Sequence, residues 1–143
     1  TGPDAPPTAA PDLVAIERGA VCGRIGDDSG AVDLRIGTAL PDLTGAPRTG
    51  GRSGLGAVLA DHVLVRPGRA VVVEATPAPG AAGGTVCVVT DRGLRHPVAD
   101  RDVLRLLGYA DVAPVRLPAS LVGLVPPAGP LDRRAALDPL PSG

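Results

Sequence analysis

The chain has 143 residues, and 14 basic side chains against 15 acidic ones leave it at −1, a length that predicts one domain or part of one and a balance that points to neither nucleic acid nor an anionic membrane surface. All 14 basic residues are Arg, so the chain can hold neither a Walker-type P-loop, which ends in Gly-Lys-Ser/Thr, nor a Schiff-base lysine. Apolar residues make up 44% of the sequence with no Phe, Trp or Met and with Tyr109 as the one aromatic; aliphatic side chains must therefore build the core, while 20 Gly and 17 Pro demand much ordered loop.

Residues 1–12 are small and Pro-rich and read as an extended linker. They carry neither the basic n-region nor the apolar h-region of a signal peptide. With Thr in first place and no Met anywhere, the chain is expected to be a piece of something longer. No uninterrupted apolar run approaches the ~20 residues that span a bilayer.

Residues 13–84 read as a β region. Ala20 to Ile25 and Ala31 to Ile36 flank Gly26-Asp27-Asp28-Ser29-Gly30, which predicts a hairpin. In its second run Val32, Leu34 and Ile36 alternate with Asp33 and Arg35, the period of a strand with one face on the core and one in water. The Gly-rich stretch Thr44 to Gly56 reads as a surface loop. His62 to Val65 and Ala70 to Ala75 are strand-like runs around Arg66-Pro67-Gly68-Arg69, whose Pro and Gly suit a type II turn.

Residues 85–137 read as a strand, a hairpin and short helices. Thr85 to Thr90 and Leu94 to Val98 flank the turn Asp91-Arg92-Gly93. Asp100 is placed to cap a helix from Arg101 to Leu107, closed by Gly108. Pro118 opens a second helical run, Ala119 to Val125, that Pro126-Pro127 must stop, and Asp132 can cap a third turn to Leu137. Residues 138–143 form a loose tail. Strands first and helices last predict an α+β fold, with a core of Val21, Leu34, Ile36, Val63, Val65, Val72, Val86, Val88, Leu104, Leu107 and Leu121.

Reactive chemistry is sparse. Gly51-Arg52-Ser53-Gly54-Leu55 departs from the Gly-x-Ser-x-Gly elbow by one place, and with Arg48 nearby it still lacks the glycine spacing and Lys of a phosphate loop. His62 and His96 have no third ligand at metal-binding spacing, and Asp27-Asp28 is a turn former before it is an acid/base pair. A glycan-binding surface would need aromatic platforms that the composition denies it. No cofactor and no metal is expected, and no catalytic residue is assigned. Arg92 and Arg95, with Arg101 and Arg105 four apart on the predicted helix, are candidate contacts for an acidic partner; a solvated face balanced by Asp100 and Asp102 is the plainer reading.

Taken in order, Val89, Thr90, Asp91 and Gly93, then Pro97-Val98, Leu107-Gly108-Tyr109, Pro118, Leu121, the Leu124 to Pro130 turn, Leu131 and Ala135 to Leu137 closely resemble the C-terminal end of the EccB family. Val21-Cys22 and Val65 to Arg69 extend the likeness more loosely, to about residues 13–137. That family supplies a membrane component of type VII (ESX) secretion systems in actinobacteria. The resemblance implies a central β region followed by a small repeat, on the extracytoplasmic side of the cell membrane, held there by a transmembrane helix outside these residues. Its implied role is structural: assembly with other core membrane components of the secretion machinery and with copies of itself. Some descriptions of the family speak of an ATPase; that alternative predicts ATP turnover abolished by Arg52→Ala, but no nucleotide motif can be pointed to. An oxidising compartment permits a disulfide between Cys22 and Cys87, which in the chain-entropy model contributes about 4 kcal/mol. Pairing of Cys22 with a cysteine elsewhere in the longer protein, or two free thiols, are the alternatives.

Overall fold

The computed structural model describes residues 19–25, 32–78, 81 and 83–133. They form two sheets and two short helices, an α+β arrangement as expected. The predicted linker over 1–12, the loop 26–30, the part of the third helical turn beyond Arg133 and the tail over 138–143 lie outside the described residues.

Strands β1 (Ala20–Ile25) and β2 (Val32–Thr38) pair antiparallel as a two-stranded ribbon. The register skips Gly37, which takes φ +75 and makes a bulge in β2. Gly19, at φ +111, lies so close to it that an added Cβ would stand 2.7 Å from the Gly37 Cα. Val21 faces Ile36, Gly23 faces Leu34 and Ile25 faces Val32. Because side chains alternate along a strand, these six residues form one apolar face, and Cys22, Arg24, Asp33 and Arg35 form the other.

The second sheet runs in the order β5–β4–β3–β6, from β3 (Ala70–Thr76), β4 (Thr85–Thr90), β5 (Arg95–Pro97) and β6 (Val115–Pro118). Its first three strands form an antiparallel meander, and β6 returns parallel to β3. The apolar runs Val71 to Val73 in β3 and Val86 to Val89 in β4 are explained by helices on both faces. Helix α1 (Arg101–Leu106) seats Leu104 against Val72 and Val88 on one side. On the other, α2 (Ala119–Val122) seats Val122 against Val73, Cys87 and Val89. The predicted caps of α1 are in place: the Val103 N–H donates to Asp100 Oδ1 at 2.9 Å, and Gly108 takes φ +82 just past the end. Gly68, at φ +70, completes the type II turn after Pro67, with the Arg69 N–H donating to the Arg66 carbonyl.

Several expectations are corrected. Val21, Leu34 and Ile36 are 60, 67 and 61% exposed instead of buried, since nothing among the described residues covers the ribbon's apolar face. The alternation of β2 is real, but its apolar side meets no core. Leu107 and Leu121 are also exposed: the first lies past the last turn of α1, and the second sits on the outer side of α2, beside buried Val122. Of the other predicted core residues, Val72, Val88 and Leu104 are buried and Val63, Val65 and Val86 partly so. His62 to Val65 makes a single bridge, His62 to Arg48, and no strand. Strand β6, bounded by Pro114 and Pro118, was not expected, and α2 stops at Val122, before the predicted Val125.

Candidate functional site

The four candidate arginines do not share one surface. Arg101 and Arg105 are exposed on α1, and Arg105 Nη1 is 3.1 Å from Asp102 Oδ1. Arg92 is exposed at the β4–β5 turn. Arg95 pairs with Val89 across the sheet, which places it on the α2 side. There its Nε donates to the Val125 carbonyl at 2.9 Å, while its backbone joins residues 126–128. Arg95 is thus drawn into the fold on the face opposite α1.

Glu74 is the polar group that sequence reasoning missed. Its Oε1 accepts from the Gly84 N–H at 3.1 Å and its Oε2 from Arg116 Nε at 3.2 Å, joining β3 to β6 and to the strand-entry segment of β4. The Gly84 N–H, the Arg116 guanidinium and the charge of Arg101 together hold its carboxyl below the usual glutamate range, against a smaller opposing effect of burial. The one available signal was a lone charge in the apolar run Ala70–Thr76.

The cysteines sit in different surroundings. Cys22 is half-buried on the polar face of the ribbon, and its Sγ accepts from Thr38 Oγ1 at 2.9 Å. Cys87 is 1% exposed in the sheet core. Both thiols are free. Burial pushes the Cys87 thiol up, and the nearby Arg95 guanidinium opposes that shift in part.

The Gly-rich segment folds as an ordered ribbon whose polar groups hold its own turns. Ser53 Oγ accepts from the Ala57 N–H at 3.1 Å, and Arg52 Nη1 donates to the Gly56 carbonyl at 3.0 Å. The Leu59 N–H donates to the Gly51 carbonyl, and the Ala60 N–H to the Leu124 carbonyl next to α2. Leu55 stands at the tip, 99% exposed. His96 Nδ1 lies 2.9 Å from the Gly129 carbonyl, and His62 Nδ1 is buried without a partner. Among the described residues no three His, Cys, Asp or Glu side chains gather as metal ligands, and no helix is long and apolar enough to cross a membrane. Asp27 and Asp28 lie outside the described residues.

What the fold offers outward is apolar surface. A groove of about 370 Å³ runs between Val103, Leu106 and Leu107 of the α1 region and Pro130 and Leu131. The ribbon adds Val21, Val32, Leu34 and Ile36, each more than half exposed and all on one face. Such a contiguous patch marks a contact site more often than a free surface. A family model described as type VII secretion system ESX-1, transport TM domain B, matches residues 2–140. Comparison with curated proteins and with solved structures finds no match.

Proposed function

The chain belongs to the EccB family of type VII secretion system components, and we propose that it serves there as an assembly domain on the extracytoplasmic side of the membrane, contacting other core subunits and copies of itself. The observation that carries this reading is the uncovered apolar face of the β1–β2 ribbon, four of whose side chains are 52 to 67% exposed. At roughly 25 cal/mol per Å² of apolar area, a face of this kind is stabilised only when a neighbour covers it. The polar face, with Arg24 opposite Asp33 and Arg35 bonded to Asp33 at 3.1 Å, stays in water.

The test uses the membrane-anchored protein in its own cells. Leu34→Asp is expected to prevent co-purification with the other secretion components and to stop export, while Leu55→Asp, at the still more exposed loop tip, leaves both intact. Normal assembly of the Leu34→Asp protein would refute the reading. Sidedness is read separately: a membrane-impermeant maleimide should label a Leu55→Cys variant in intact cells, and labelling only after lysis would place the domain on the inner side.

A further inference from the structure

The two sheets treat their edges differently. On the four-stranded sheet, the outer side of β5 is occupied by residues 126–131: the Arg95 N–H donates to the Pro126 carbonyl, the Ala128 N–H to the Arg95 carbonyl and the Leu131 N–H to the Pro97 carbonyl. At the other edge β6 is four residues long and framed by Pro114 and Pro118, which lack the N–H that an added strand requires. Among the described residues the ribbon has no such protection. β2 is seven residues long and contains no Pro, and one of its two sides pairs with nothing among the described residues.

We infer that the free edge of β2 is a pairing site for the β2 strand of a second copy of this chain. The sequence of β2 is complementary to itself when it is run antiparallel about Leu34. Leu34 then faces its own counterpart, Val32 faces Ile36, and Asp33 faces Arg35 in both directions. Strand polarity, apolar face and charge all match in this one register, and a slip by one residue would put apolar side chains opposite charged ones. Within one chain Asp33 already has Arg24 opposite it on β1 and Arg35 beside it. In the pair each Asp33 carboxylate would lie between Arg24 of its own copy and Arg35 of the other, a row of alternating charge over three strands that ends on Cys22 of the second β1. Opposite charges on facing positions favour the pairing, and like charges oppose it. The apolar faces of the two ribbons become one, with the Leu34 side chains in contact at the two-fold axis. This deepens the assembly reading by naming the strand through which copies meet.

The test is the solution mass of the full 143-residue chain by light scattering under reducing conditions. The wild type should run at about twice 14.2 kDa. Asp33→Arg and Arg35→Asp should each give the monomer, because each places like charges opposite one another, and the variant carrying both changes should recover the dimer. A monomeric wild type overturns the inference, as does a dimer that persists through both single reversals, which would mean packing through the apolar face or another surface. A second measurement does not depend on charge variants folding. In a Cys22→Ser background, Leu34→Cys should cross-link to its own copy with diamide as oxidant, since facing positions meet the geometry of a disulfide; Leu55→Cys in the same background should not. Failure of Leu34→Cys to cross-link overturns the register. A chain that is monomeric here while the membrane-anchored protein still co-purifies with its secretion partners would remove the pairing and leave the assembly reading in place.

Discussion

Cys87 shows how one side chain is settled by its surroundings. It is packed among Val73, Val89 and Val122, and its thiol is pushed up by burial, so it offers little thiolate and no approach to a reagent. Cys22 is half-buried beside Thr38. In the folded, unreduced chain an alkylating reagent should add one group, at Cys22, and a second only after unfolding, as read by intact mass. No addition before reduction would reveal instead a bridge between the two. The sequence marked both residues as a pair worth watching, but spacing along the chain carries no information on which sheet a strand joins. Glu74 was equally illegible as a joint, because Arg116 and Gly84 are brought to it only by the return of β6.

At the scale of elements, the Glu74 carboxylate holds β6 on β3. A carboxyl held below its unfolded value contributes stability that is fully present above the ordinary glutamate range and is lost as pH falls through the lowered value. Thermal melts should therefore show wild type and Glu74→Gln converging as the pH drops into the acid range, with wild type ahead at neutral pH by about 1 kcal/mol or less, as for other partly exposed ion pairs. A gap that stays constant with pH would show that the charge of Glu74 does not hold the joint. Local signals specified most elements well: the cap at Asp100, the Pro67-Gly68 turn and the runs of β3 and β4 need only neighbouring residues. Strand β6 was hidden because Val115 to Pro118 is short and lies between prolines, and a parallel partner far away in sequence is what makes it a strand. The phases of Leu107 and Leu121 were misjudged for a related reason. Helices of six and four residues span fewer than two turns, too few for periodicity to define a buried side.

For the molecule as a whole, the two sheets should differ sharply in persistence. The four-stranded sheet is covered on both faces by Leu104 and Val122 with their neighbours, whereas a two-stranded ribbon without a covered face is marginal in water. In hydrogen exchange on a dilute, unpaired sample, amides of β1 and β2 should exchange at least about tenfold faster than those of Cys87 to Val89. Equal protection would mean that the ribbon is stabilised without a partner. The α+β class could be read from the order of patterns, and the family from an ordered set of short motifs. Which apolar faces find a cover could not, because alternation states that a strand has an apolar side and says nothing of what lies over it. The path of the last described segment has a consequence for the order of folding. The meander of β3, β4 and β5 closes through short turns and can form early, but β6 must wait for α1 to bring it back, and residues 126–131 must then cross to the opposite edge to seal β5. During synthesis the sheet therefore emerges with both flanks raw, and it is closed only once residues 115–131 have followed it out of the ribosome's shelter.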